Sequence, residues 1–156
     1  MNVQDNNGFL IGALLRIPSE QLGVEVQAMR MQDPQFADVR PIHDPVFIYL
    51  PAEGCRITEL AERANTTRQA MTYLVDYLVE RGYLERVDDP TDKRAQIIRL
   101  TQKGWDFHLR SKQHVAEVQK NWGQQLGEQD MQTLMDLLRR LVHDVLEVEY
   151  KGSILR

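Results

Sequence analysis

Apolar side chains recur along this chain with a helical period almost everywhere, and with a strand period in one short tract. Ala70, Met71, Leu74, Val75, Leu78 and Val79 fall at i, i+1, i+4, i+5, i+8 and i+9, a buried stripe sustained for about four turns. Thr66-Thr67-Arg68-Gln69 has the S/T-x-x-E/Q form of a capping box. That form predicts a helix opening at Thr66, whose hydroxyl accepts from the amide three residues on while Gln69 reaches back. The opposite stripe is Arg68, Gln69, Thr72, Tyr73 and Asp76, rich in groups that suit base edges and phosphates. Just ahead, Ile57, Leu60, Ala61 and Ala64 fall at i, i+3, i+4 and i+7, which predicts a short helix with Thr58 as its cap. Only Asn65 and Thr66 separate the two. A short helix joined so tightly to a longer one makes a helix-turn-helix, and Gly82 closes the second helix.

The period then changes. Tyr83–Val87 and Ala95–Leu100 are rich in β-branched and aromatic residues and read as strands, with the polar Asp88–Arg94 between them as a turn-forming loop. A hairpin with a charged tip directly after a helix-turn-helix is a winged helix. On either side the pattern is helical again. Gly8 to about Met31 carries Phe9, Leu10, Ala13, Leu14 and Ile17 on one side, then Leu22, Val26 and Met29. Pro18 is expected to kink or restart that helix, with Ser19 capping the continuation. Asp44-Pro45 reads as an N-cap followed by proline at the first helical position, opening the apolar Val46–Leu50 helix. Thr101 caps a long helix to about Gln125 with Val115, Val118, Trp122 and Leu126 as its seam, and Gly123 and Gly127 mark a break. A last helix from Glu128 to Val148 carries Leu134, Leu137, Leu138, Leu141, Val145 and Val148 at heptad-like spacing.

The fold class that follows is mainly α with a small β-hairpin wing. Residues 1–34 form an N-terminal helical dimerisation segment, 35–104 a winged helix-turn-helix lobe, and 105–156 a C-terminal helical dimerisation segment. The terminal helices are too apolar to face solvent alone, so a second element must cover them.

Composition narrows the function. At 156 residues, 42% hydrophobic and 27% charged, the chain is an ordinary globular protein long enough to bury a core. It holds no apolar run long enough for a membrane span and no signal-peptide start, and its single cysteine, Cys55, allows no intrachain disulfide. A cytoplasmic protein is expected. The net charge of −4 argues against an indiscriminate nucleic-acid binder. Between Arg56 and Gly104 nine Lys/Arg meet eight Asp/Glu, against ten and fifteen elsewhere. DNA binding therefore has to rest on where the cations sit. G-x-S-x-G, Walker, G-x-G-x-x-G and H-E-x-x-H motifs are all missing, so no enzyme is expected and no cofactor. His43, His108, His114 and His143 are scattered, which gives no metal site.

Arg56-Ile57-Thr58-Glu59-Leu60-Ala61, Arg68 through Asp76, Asp89-Pro90-Thr91-Asp92-Lys93-Arg94-Ala95 and Leu100-Thr101-Gln102-Lys103-Gly104 together resemble the MarR family of bacterial transcription regulators. The D-x-R wing motif before a strand ending in L-T-x-x-G carries most of that resemblance. It implies a homodimer of interlocked terminal helices whose two winged lobes bind a palindromic operator in double-stranded DNA. It also implies repression relieved by a small lipophilic or phenolic effector, with no membrane partner. By the same resemblance Arg94 enters the minor groove and Asp92 pairs with it to hold its aim. Arg68, Gln69 and Thr72 should face the major groove with Tyr73 at the margin, while Thr66, Thr67 and Lys93 meet phosphates. The oxidant-sensing branch of the family keeps its cysteine near the N-terminus, so Cys55 is expected to be structural. The rival reading is a winged-helix module that binds protein instead of DNA.

Overall fold

The computed structural model describes residues 7–146. In chain order the elements are α1 (Asn7–Met31), α2 (Asp44–Tyr49), β1 (Cys55–Arg56), α3 (Ile57–Arg63), α4 (Arg68–Glu80), β2 (Leu84–Asp89), β3 (Asp92–Leu100), α5 (Gln102–Leu126) and α6 (Glu128–Arg140). The sheet is antiparallel in the order β1-β3-β2. This is the mainly helical winged-helix architecture that the periodicity predicts, with one strand added.

The winged lobe is built around four aromatic rings. Phe47 and Phe107 lie 4.3 Å apart between centroids, and Phe36 and Tyr83 pack edge-on to Phe107 at 5.6 and 5.7 Å. Each ring, removed from water, contributes about 1.5–3 kcal/mol. Val46, Leu50, Leu60, Met71, Val75, Leu78 and Ile98 complete the core. Phe36 and Val39 come from the turns after α1, a stretch whose sequence shows no period. In α4 the buried stripe is Met71, Leu74, Val75 and Leu78. Ala70 is exposed and Val79 half-buried, so the covered face is narrower than the spacing implies.

Several helix ends lie elsewhere than expected. α4 is capped by Thr67, not Thr66: the Thr67 hydroxyl accepts from the Ala70 amide at 3.1 Å. The reason is the turn before it. Asn65 takes a positive φ of 48°, and the Thr66 amide bonds back to the Ala61 carbonyl at 3.0 Å, which holds Thr66 in the turn. Position N3 is then Ala70, so Gln69 closes no capping box. Arg56, not Thr58, precedes the first residue of α3, because pairing of Cys55 with Ile98 and Arg56 with Ile97 keeps the backbone extended up to that point. Asp44 is not an N-cap. A 3-10 turn over Pro41–His43 runs straight into α2, and the Asp44 carboxylate instead accepts from Arg30 Nη2 at 2.8 Å.

Other ends match. Gly82, at φ 76°, ends α4 with the Tyr83 amide on the Leu78 carbonyl and its own amide on Val79, both at 2.9 Å, a Schellman closure. Thr101 caps α5 by accepting from the Gly104 amide at 3.2 Å. Gly104 has no room for a side chain, since a Cβ there would overlap the Tyr83 carbonyl.

The terminal helices lie together. α1 packs on α5, where Trp122 Nε1 donates to Glu25 at 3.2 Å. α1 continues through Pro18, and Ser19 starts no new helix. A long helix anchored against α5 absorbs the loss of one amide donor. Gly127, at φ 104°, turns α5 into α6, whereas Gly123 stays inside α5 with Met131 against it. α6 passes into a π-helical turn at Leu141–Val145. Val148 and the Phe9 side chain lie outside the described residues. Leu10, Leu14 and Ile17 of α1 and Leu134 and Leu137 of α6 are exposed. Leu14, Leu22, Trp122, Met131, Leu134 and Leu138 line one apolar cleft of about 340 Å³.

His108 and His114 are buried on α5, and among the described residues neither Nδ1 has a hydrogen-bond partner. Burial holds both imidazoles below their ordinary value. Lys112 adds to this at His108, and Arg110 and Arg30 at His114. His43, stacked on Tyr77, is lowered by burial as well. At these three imidazoles the unfolded chain therefore binds more protons than the folded one below about pH 6.5. Stability should be full above that value and fall as pH drops toward the folded values. The urea midpoint is expected to be lower at pH 5 than at pH 7.5, with the slope unchanged. Equal midpoints would show that these imidazoles accept protons as readily folded as unfolded. Asp89 does not enter this window, because its stabilising ionisation is lost only below about pH 4.

Candidate nucleic-acid interface

α4 and the β2–β3 hairpin face each other across an open cleft of about 530 Å³. Arg68 and Thr72 line it from the helix, Arg86, Lys93 and Arg94 from the wing, and Arg56 and Thr58 from the start of α3. Five cationic side chains converge there, and Asp88 is the one carboxylate in the lining. The near-neutral balance of the lobe thus conceals a concentrated positive site.

The cations are not equivalent. Arg56 donates to Asp89 from Nε and Nη2 at 2.7 and 2.6 Å, and Arg86 is paired with Asp76 of α4. Among the described residues Arg68, Lys93 and Arg94 form no ion pair. Those three keep their charge for an outside anion.

The wing is shaped by its carboxylates. The turn is Pro90-Thr91, shorter than the expected loop, and strand pairing reaches Asp89 and Asp92. Asp89 Oδ1 accepts from the Thr91 amide at 2.8 Å and from its hydroxyl at 2.7 Å, which draws the turn tight. These two bonds, with the Arg56 pair behind them, hold the Asp89 carboxyl down to about 2. The register then jumps from Asp88↔Gln96 to Asp89↔Asp92, so Lys93-Arg94-Ala95 have no paired residue on β2. Such a bulge re-aims side chains. Here it sets Lys93 and Arg94 on an exposed strand segment instead of in a loop.

Asp92 does support the wing, but not as expected. Its Oδ1 accepts from the Arg94 backbone amide at 3.0 Å, and its Oδ2 lies 3.7 Å from Arg56 Nη2. It makes no ion pair with the Arg94 guanidinium, because the bulge spends this carboxylate on the backbone.

The expected site residues divide between two flanks of α4. Arg68 and Thr72 join Lys93 and Arg94 in the cleft. Thr66, Thr67, Gln69 and Tyr73 line a second concavity, of about 740 Å³, on the other flank with Ile42 and Pro45. Tyr73 is 71% exposed. The Thr72 hydroxyl donates to the Arg68 carbonyl at 2.7 Å, which leaves its oxygen free only as an acceptor. Spacing places none of Arg56, Thr58 and Arg86 in the site, since Arg56 and Arg86 depend on partners remote in sequence and Thr58 is read only as a helix cap.

Cys55 has a local answer. Cys55 is buried, and burial, reinforced by Glu59, pushes its thiol up to about 12. The thiolate is the reactive form, so this sulfur is inert at neutral pH. Among the described residues no three His, Cys, Asp or Glu side chains gather as a metal site would require, and no helix is long and apolar enough to cross a membrane.

Residues 47–95, from α2 into the wing, match the model of the MarR family. The fold is shared with solved structures over nearly their whole length. The reduced form of MarR from E. coli superposes with a TM-score of 0.73 at 22% identity, covering 83% of this chain and 94% of that one. The transcriptional regulator Tm0710 from Thermotoga maritima gives 0.64 at 22% identity, covering 89% and 98%. The transcriptional repressor CouR, bound to a 23-mer DNA duplex, gives 0.64 at 22% identity, covering 89% and 96%.

Proposed function

We propose, on the premise that this chain carries a winged-helix module of the MarR family, that it is a sequence-specific DNA-binding transcription regulator. It acts as a repressor, and a homodimer of it binds a palindromic operator. The observation that carries the reading is the cleft in which Arg68, Lys93 and Arg94 stand without carboxylate partners among the described residues. Arg68 meets a guanine edge in the major groove, while the Thr72 methyl reaches a thymine methyl. Gln69 on the other flank suits adenine, and Tyr73 stands at the margin. Thr66 and Thr67, ahead of the first turn of α4, and Lys93 on the wing take phosphates, which set affinity and register. Arg94 enters the adjacent minor groove, where narrow A·T-rich tracts concentrate negative potential.

The dimer is formed by residues 1–34 and 105–156, and residues 35–104 form the lobe that touches DNA. Exposed leucines on α1 and α6 support this division. CouR carries DNA on the same fold. Release by a small lipophilic or phenolic effector, through a change in lobe spacing, extends the reading by family likeness.

The rival is a protein-docking winged helix, favoured by the near-neutral balance of nine Lys/Arg and eight Asp/Glu between Arg56 and Gly104. Titrating random duplex at rising salt separates the two. A DNA binder loses affinity steeply, with a log–log slope of about −0.9 per phosphate neutralised. A docking module hardly binds at any salt, and that result would remove the proposal.

A further inference from the structure

We propose that Arg56 is a positioning residue for DNA recognition: its clamp on Asp89 locks the wing to the first helix of the helix-turn-helix, so that Arg94 and α4 present themselves at a fixed spacing. This rests on the DNA-binding reading and adds a residue that the wing motif does not contain.

Arg56 is where three elements meet. It ends β1, pairs with Ile97 in the middle of β3, and immediately precedes α3. Its side chain crosses the foot of the wing to Asp89, 33 residues away in the chain. From there the links run outward without a gap. One Asp89 oxygen takes Arg56 and the other ties down Thr91 at the turn. Asp92, also within 3.7 Å of Arg56, holds the backbone amide of Arg94. A hairpin with an unpaired bulge beside its tip has few constraints of its own. The clamp supplies them before DNA arrives, which reduces the ordering cost of binding. The pairing of Arg86 with Asp76 joins the other wing strand to α4 independently, so the body of the sheet stays attached when Arg56 is lost.

Arg56 lies in the cationic cleft, yet its charge is already neutralised by a buried carboxylate. A positioning role and a phosphate contact therefore predict opposite things. The test uses full-length Arg56→Gln, Asp89→Asn, the double variant and Arg56→Lys, titrated by fluorescence anisotropy against the operator across a salt series. Melting curves confirm that each is folded.

If Arg56 positions the wing, Arg56→Gln and Asp89→Asn each weaken operator binding about tenfold and the double variant is no weaker than either, since partners in one interaction are not additive. The salt slope of Arg56→Gln stays that of the wild type. Arg56→Lys, which keeps charge but not the paired N–H geometry, binds as poorly as Arg56→Gln. The proposal is overturned if Arg56→Gln binds like wild type. It also fails if Asp89→Asn tightens binding while Arg56→Gln flattens the salt slope by about 0.9, the mark of one lost phosphate contact. Should Asp89→Asn not fold, the slope of Arg56→Gln and the behaviour of Arg56→Lys decide alone. A wild-type protein that binds no duplex removes the DNA-binding reading itself, whereas wild-type binding with indifferent variants removes only the clamp.

Discussion

Replacing both Leu14 and Leu134 with glutamate is expected to give a folded monomer whose operator affinity falls by about 10²–10⁴-fold. Both leucines line the same apolar cleft between the terminal helices, and they are 60% and 42% exposed in the single chain. Leu10, Ile17 and Leu137 extend the patch along α1 and α6. A contiguous surface of this kind is rarely left to water. Two glutamates there would have to be desolvated on association, at a cost of several kcal/mol. The lobe core lies elsewhere, around Phe47, Tyr83 and Phe107, so each monomer keeps its winged helix. A lone lobe, with Arg68, Lys93 and Arg94 unpaired among the described residues, is expected to bind weakly. Joined to a second, it gains the effective concentration of an intramolecular contact. Sedimentation equilibrium and operator titration check both halves. A double variant that stays dimeric would place the subunit contact elsewhere.

Arg94→Ala should leave the melting temperature and the dimer intact while weakening operator binding at least about tenfold, the cost of losing a minor-groove arginine. The side chain is exposed and has no ion pair among the described residues, so the folded state loses little with it. Only its backbone amide is engaged, by Asp92, and alanine keeps that bond. The loss should be largest on operators with an A·T-rich flank, because the narrow groove is the attraction. Lys93→Ala should instead weaken all duplexes alike and reduce the salt slope by about 0.9. Equal gel-shift affinity for wild type and Arg94→Ala would show that the wing does not touch the duplex.

Much of this lobe could be read from spacing. Met71, Leu74, Val75 and Leu78 repeat with the helical period, Gly82 and Thr101 punctuate the ends, and the helix-helix-hairpin order admits few topologies. What escaped reading is non-local. β1 is two residues long and exists because β3 offers an edge to Cys55 and Arg56. The shift of the α4 cap from Thr66 to Thr67 was decided by the left-handed turn at Asn65. Phe36 and Val39 are core residues on turns, where no period marks them. Lys93 and Arg94 were found by their motif, but their place on a bulge follows from how Asp89 and Asp92 spend their oxygens. The D-x-R motif points Asp92 at Arg94, and the bond made is to the Arg94 backbone amide, since motif spacing cannot distinguish a guanidinium from an amide. Spacing gives Arg56 no role, its partner Asp89 being on another strand.

On the proposed function, two copies of this cleft hold one duplex on the same face. Selecting bound sequences from random DNA with the purified full-length protein tests it most directly. An enriched palindrome is expected, with half-sites about one helical turn apart and A·T-rich positions at the place proposed for Arg94. Pools that stay random after repeated rounds, or a single unrepeated half-site, would contradict it.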